Sequence, residues 1–194
     1  MSSDSVVPSF DPAVPPDWRD SLARSGADDA MLARLESAAG AWTGPVIPGR
    51  VARAEHSLVT VLAPAGQLRA GLGRHEAACA GDYVLVSTAD PAAPVLTEVL
   101  PRRSELVRHA AGTRTAPQTL AANVDDIFVT VTAGRNVRPS RIERFLALAW
   151  ESGATPVLVL TKADLMPPGG AGPLLTAAAV VAPGADVYLV SAVT

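Results

Sequence analysis

Between Asp126 and Val190 the chain alternates short β-branched runs with helical spacing, and few folds accept that pattern. Asp126–Ala133 (DIFVTVTA) is an apolar strand, and Pro139 stands where a first helical residue is favoured. Ile142, Phe145, Leu146 and Ala149 follow at i, i+3, i+4 and i+7, and Gly153 stops that helix. Pro156–Leu160 (PVLVL) is a second buried strand, Leu174–Val181 a second helix, and Val187–Val190 a third strand. Strand, helix, strand, helix, strand predicts right-handed crossovers and a parallel sheet. By this reading Asp126–Ala133 is an edge, although Ile127, Phe128, Val129 and Val131 have the composition of a central, fully buried strand.

Upstream the period is different. From Pro48 to about Leu100 there are five strand-like runs: Gly49–Arg53, Ser57–Ala63, Gln67–Leu72, Asp82–Ser87 and Pro94–Leu100. Turn residues punctuate them at Pro64-Ala-Gly66, Gly71-Leu-Gly73, Ala80-Gly81 and Asp90-Pro91, as short antiparallel strands require. Five such strands fit a small closed barrel; an OB-fold is the commonest five-stranded one, and an SH3-like barrel satisfies the same period. The divisions are therefore a disordered acidic lead and short helix over 1–44, a β-barrel domain (OB-fold) over 45–100, an Arg-rich linker over 101–122, and a parallel-sheet α/β half-domain over 123–194. Within the lead, Asp28-Asp29 is the N-cap candidate for a helix that places Met31, Leu32 and Leu35 on one face.

Charge follows the same divisions. Residues 1–45 hold three Arg against seven acids, residues 46–116 eight Arg against six acids, and residues 117–194 five basic residues against six acids. Only the middle block is net basic, so it is the expected nucleic-acid face, with Arg102, Arg103, Arg108 and Arg114 in the linker as candidate phosphate contacts. A solvated linker explains the same arginines. His56, His75 and His109 read as surface or barrel residues, and His109, in the linker, is the one to test near a nucleotide.

Apolar residues make up 48%, yet no run approaches the roughly 18 residues of a spanning helix. The start, Met1-Ser-Ser-Asp-Ser, does not read as a secretory signal. Cys79 is the sole cysteine, which excludes an internal disulfide and a cysteine-built zinc site within the chain. A reduced, cytoplasmic setting is expected.

Thr161-Lys162-Ala163-Asp164 directly follows the second strand of the parallel sheet, where α/β folds bind ligands. An Asp carboxylate can accept from both N1–H and the exocyclic amine of guanine, a donor pair that adenine lacks. A Lys stem can lie along the base while its ammonium stays in water. Four loosely specified positions also occur by chance as a solvated turn with an Asp cap. Two neighbours raise the guanine reading. Lys162 is the single lysine among 16 basic residues, and Ser191-Ala192 follows Thr161 by 30 residues, after the third strand, where backbone N–H groups can reach the guanine carbonyl. Thr161, Lys162, Ala163, Asp164, Ser191 and Ala192 are the candidate nucleotide-binding residues. A phosphate-cradling GxxxxGK[ST] loop needs a lysine, and Lys162 lies in no such run, so the 194 residues contain none; a DxxG triplet is absent as well.

Guanine motifs without a preceding phosphate loop, placed after a barrel, resemble the order found in the circularly permuted RsgA (YjeQ) GTPases. Further motifs match: Gly81-Asp82-Tyr83-Val84 resembles the family's GDxV turn, and Pro101–Arg108 (PRRSELVR) its RxSxxxR linker. Ala121–Asp125 (AANVD) resembles the ANVD that opens the GTPase domain, and Arg144-Phe145-Leu146 the RFL helix motif. Thr161 stands where Asn is commoner. The resemblance covers about residues 45–194 and implies an OB domain followed by the first half of a permuted P-loop GTPase domain. It implies a GTPase using GTP/GDP and Mg2+ that acts in late maturation of the small ribosomal subunit, with that subunit and its rRNA as partners and a monomeric state. It further implies that the P-loop, the switch regions and a zinc-binding tail follow residue 194, so that these residues alone are inactive. The rival expectation is a stand-alone OB-fold module that binds RNA or the ribosome without turning over GTP.

Overall fold

The computed structural model describes residues 10–75, 77–108, 118–133 and 138–193. They form two compact units, Met1–Arg102 with Arg108–Asn123, and Arg103–Val107 with Val124–Thr194. Among the described residues no helix is long and apolar enough to cross a membrane.

In the first unit, β1 (Val46–Ala54), β2 (Leu58–Ala63), β3 (Gly66–Gly71), β4 (Tyr83–Ser87) and β5 (Val95–Val99) close into a barrel of order β1-β2-β3-β5-β4. β1 pairs antiparallel with both β2 and β4, while β3 meets β5 in parallel at Gly71 and Val95. Val51, Val59, Val61, Ala70, Val84, Val86 and Leu96 fill the interior. The alternate residues of β4, Tyr83 and Leu85, join a second core beneath α1 (Trp18–Arg24) and α2 (Asp29–Ala41). β4 is thus buried on both sides, which explains an unbroken apolar run where one open face would give alternation.

Two features differ from the sequence expectation. Residues 10–17, read as part of a disordered lead, are held in place: Phe10 bridges to Val46, the Asp11 amide donates to Val46 O at 2.9 Å, and Phe10 meets the Trp18 ring edge-on at 4.9 Å. Their Ser/Pro/Asp composition hid this anchor, which rests on two aromatic rings. Next, two helices stand where one short helix was expected. α1 escaped notice because Asp17 makes no side-chain cap and only Trp18 and Leu22 are buried in it, too few for a period. α2 begins as anticipated, with Asp28 Oδ1 accepting from the Met31 amide at 2.7 Å.

The barrel's exit is built on a buried carboxylate. Asp82 is fully buried, accepts from Arg102 Nε and Nη2 at 2.7 and 2.8 Å, and accepts from the Cys79 amide at 2.8 Å. Arg102 Nη2 also donates to Ala77 O at 3.0 Å. Gly81 holds φ +93°, and a Cβ there would lie 1.9 Å from Ala122 O, so glycine is required on both counts. Asn123, itself at φ 52°, donates from Nδ2 to Gly81 O at 3.0 Å, and Arg50 Nη2 donates to Asn123 O at 2.9 Å. The GDxV and ANVD motifs are therefore two sides of one structural joint.

In the second unit, β8 (Asp126–Thr132), β9 (Thr155–Thr161) and β10 (Asp186–Leu189) form a parallel sheet of order β10-β9-β8. Helices α3 (Pro139–Glu151) and α4 (Ala171–Val181) share one core with Ile127, Val129, Val131, Leu158, Leu160, Val187 and Leu189, so both cover the same face. The segment before this unit's sheet is tied down locally: Ser104 Oγ both accepts from Val124 N and donates to Val124 O at 2.7 Å, and the Glu105 amide donates to Ser152 O at 2.8 Å. Strands β6 (Glu105–Arg108) and β7 (Gln118–Ala122) complete the fold; both lie in the stretch expected to be linker. β8 is an edge, but it is not fully buried: Phe128 is 66% exposed, and among the described residues no helix packs on its side of the sheet.

The Asp82 joint gives a stability test. Arg102→Met leaves a buried carboxylate without its cation and should cost roughly 3–5 kcal/mol. Urea unfolding followed by Trp18 and Trp42 fluorescence will measure this, and adding Asp82→Asn should restore part of the loss.

Candidate functional site

The site lies at the carboxyl ends of β9 and β10, and the strand register brings its two halves together. Leu189 aligns with Leu160, and the Val190 amide donates to Leu160 O at 2.8 Å. Just beyond the two strands, the Ala163 amide donates back to Val190 O at 3.1 Å. The loop from Thr161 and the loop from Ser191 are thereby stitched by backbone bonds rather than by side-chain packing.

Lys162 turns the first loop by adopting left-handed backbone angles, φ 60° and ψ 44°. A non-glycine residue there costs on the order of 1 kcal/mol, and such outliers gather at functional sites. The chain then makes a 3-10 turn over Ala163–Leu165. Thr161 Oγ1 donates to Val131 O at 3.3 Å, and the Ala133 amide donates to Thr161 O at 2.7 Å, fixing the strand end against β8.

Within this frame the Ser191 hydroxyl donates to Asp164 Oδ1 at 2.5 Å and accepts from the Val193 amide at 3.1 Å. Lys162, Asp164, Ser191 and Ala192 are exposed, and Thr161 and Ala163 are half-buried. All six sequence-selected residues thus come to one sheet edge, and a hydrogen bond links the two motifs. With Oδ1 engaged by the Ser191 hydroxyl, the second carboxylate oxygen of Asp164 can accept from a ligand's N–H groups. Asp164 is the one carboxylate in these two loops.

The linker arginines have other occupations. Arg102 is committed to Asp82, and Arg103 pairs with Asp125 at 3.3 Å. Both were expected to face nucleic-acid phosphates; Arg102 instead satisfies a buried acid, a role that composition could not reveal. Arg108 is exposed at the end of β6, while Arg114 and His109 lie outside the described residues. His75 Nε2 is 2.9 Å from Thr97 O within the barrel unit, and His56 is exposed. Sequence reasoning passed over Ser191's part as a holder of Asp164; the signal was its hydroxyl, set aside in favour of the turn's backbone.

Comparison with known proteins points one way. Residues 99–194 match the family described as RsgA GTPase. The chain is 46% identical over 128 residues to the "Small ribosomal subunit biogenesis GTPase RsgA" of Streptomyces avermitilis, covering 63% of this chain and 34% of that protein. With the identically named protein of Streptomyces coelicolor it shares 43% over 154 residues, covering 76% and 42%. Among solved structures, YjeQ from Thermotoga maritima superposes with a TM-score of 0.58 at 21% identity, covering 75% of this chain and 52% of that one. YloQ, described as a circularly permuted GTPase, gives 0.57 at 23% identity, covering 76% and 52%. These two establish likeness of fold. The chain spans less than half the length of the curated relatives it matches.

The Ser191–Asp164 bond predicts a local effect. Ser191→Ala should change stability by no more than about 0.5 kcal/mol, as for other exposed sites, yet allow the Asp164 side chain to sample several rotamers. Side-chain couplings measured by NMR will show the averaging, and a single retained rotamer would assign the holding role elsewhere.

Proposed function

This chain belongs to the RsgA GTPase family, and on that membership we propose that it supplies the guanine-recognition part of a GTP-hydrolysing protein. Thr161, Lys162, Ala163, Asp164, Ser191 and Ala192 form the base pocket. Asp164 accepts from the guanine N1–H and amine, the Lys162 stem lies along the base, and the amides at Ser191-Ala192 face the carbonyl. The observation that carries this reading is the Ser191–Asp164 hydrogen bond, which places the two motifs at adjacent strand ends.

The protein acts, on this reading, in the cytoplasm in late maturation of the small ribosomal subunit, as a monomer that binds that subunit and its rRNA. The barrel is an OB-fold, since its five strands and its parallel β3–β5 contact suit that type. The 194 residues contain no GxxxxGK[ST] run, so by themselves they do not hydrolyse GTP. Among the described residues no group of three His, Cys, Asp or Glu side chains can hold a metal ion. Magnesium would therefore arrive with nucleotide phosphates held by other residues, and zinc would need ligands from outside the described residues. The same lack of a phosphate loop favours one second reading, an RNA- or ribosome-binding module without turnover.

Two measurements test the proposal. In NMR titrations of the 194-residue protein, GMP should shift the amides of Ala163, Asp164 and Ala192 while AMP leaves them in place, and Asp164→Asn should transfer the preference to XMP. Equal responses to GMP and AMP would remove the guanine pocket. Incubated with GTP and magnesium, the same protein should release no phosphate; sustained turnover would refute the division of labour.

A further inference from the structure

α3 carries Arg138 at its N-cap, then Arg141 and Arg144, and all three are exposed. None of them makes an ion pair among the described residues. Helix stability does not account for them. The first turn holds no acidic residue, and cations at a helix N-terminus oppose the macrodipole. Arg138 also gives no side-chain cap.

Their surroundings are uniformly suited to anions. The three arginines line a concavity of about 980 Å3 at the carboxyl end of β8, together with Thr130, Thr132 and Ser140, and no acidic residue is among its lining. Of the unit's acids, Glu143 lies on α3 between Arg141 and Arg144 but does not line the concavity; Asp164 follows β9, Glu105 starts β6, Asp125 and Asp126 sit at the opposite end of β8, Glu151 at the far end of α3, and Asp186 at the start of β10.

Arg141 and Arg144 are also pre-positioned. Their guanidinium carbons stand 5.6 and 5.4 Å from the centroid of the Phe145 ring, one residue holding two cations. Stacking fixes each guanidinium plane without neutralising it and leaves N–H groups free for bidentate bonding to phosphate oxygens. Arginines at i, i+3 and i+6 span about 9 Å of helix, the scale of a short run of backbone phosphates. Aromatic and Arg side chains interleaved in this manner are the usual means of holding single-stranded nucleic acid.

We propose that Arg138, Arg141 and Arg144, set around Phe145, form a binding surface for the phosphodiester backbone of RNA. It is separate from the base-recognition loops, and its occupation requires no nucleotide. It also replaces Arg102 and Arg103 as the phosphate-contacting arginines of the chain, since those two are paired with acids.

The test uses the full 194-residue protein and fluorescein-labelled single-stranded oligoribonucleotides of two unrelated sequences, titrated at several salt concentrations. Arg141→Ala with Arg144→Ala should weaken binding of both sequences equally and reduce the slope of log K against log salt by about 1.4, two contacts at about 0.7 each. Phe145→Leu, which keeps an apolar core contact, should weaken binding while leaving the slope nearly unchanged. Arg53→Ala with Arg69→Ala removes the same charge from the barrel and should have little effect. The proposal fails if the Arg141/Arg144 variant binds like the parent, or if the Arg53/Arg69 variant loses as much, which would reduce the effect to net charge. It fails also if a polyglutamate peptide displaces the RNA at equal charge concentration, which would identify an acidic protein as the partner. Because no guanine nucleotide is present, failure here leaves the GMP titration standing, and failure there leaves this result intact.

Discussion

The candidate site depends on the parallel register between β9 and β10. Side chains at 161–164 and 191–192 are 30 residues apart in the chain, and nothing in either loop is buried deeply enough to organise the other. What unites them is the alignment of Leu160 with Leu189, carried one step further by the Val190–Leu160 and Ala163–Val190 backbone bonds. A one-residue slip would turn Leu189 out of the core shared with α3 and α4. Core packing therefore fixes the register, and the register fixes the distance from Ser191 to Asp164.

The barrel unit uses a different economy, in which motif residues serve the fold. Asp82 is buried with a two-armed Arg102, Gly81 admits the Ala122 carbonyl, and Asn123 closes the arrangement from a left-handed conformation. Breaking a buried pair is costly because the surviving charge has no water, so Asp82 and Arg102 depend on each other. A sequence pattern as conspicuous as Pro101–Arg108 can thus owe one of its arginines, Arg102, to an internal acid. Arg102 and Arg103, which a basic linker would offer to RNA, are instead paired with acids.

Strands were legible wherever one physical cause dominated. The five barrel strands announced themselves through alternation and turn residues, and the parallel sheet through β-branched runs separated by a helical period. Legibility failed where two causes overlapped. Phe128 has the composition of a buried strand residue, yet its partner layer is not among the described elements. α1 buries too little to show a period, and Phe10 takes its order from contacts with Val46 and Trp18 that no local pattern encodes. At the site the residue types could be read from sequence, whereas the Ser191 hydrogen bond and the left-handed Lys162 could not, since both arise from the meeting of distant loops. The arginines of α3 were visible as residues, but their lack of acidic partners is a three-dimensional fact.

The sheet itself carries the last step. α3 and α4 lie on one face, where Val129, Leu158 and Leu160 are buried, while Phe128, Tyr188 and Val190 on the other remain 66%, 54% and 41% exposed. Parallel sheets are stable when both faces are covered, and β8 offers an unpaired edge beside its open face. The features already in place are those that can be completed within three strands: two loops at adjacent strand ends and a helix beside the third. Holding a triphosphate demands something these strands do not have, a run of backbone N–H groups from a glycine-rich loop leading into a helix. Base recognition and phosphate binding are separable because they draw on different strand ends. The open face of Phe128, Tyr188 and Val190 and the unpaired edge of β8 are the features of these three strands that packing alone leaves uncovered among the described residues.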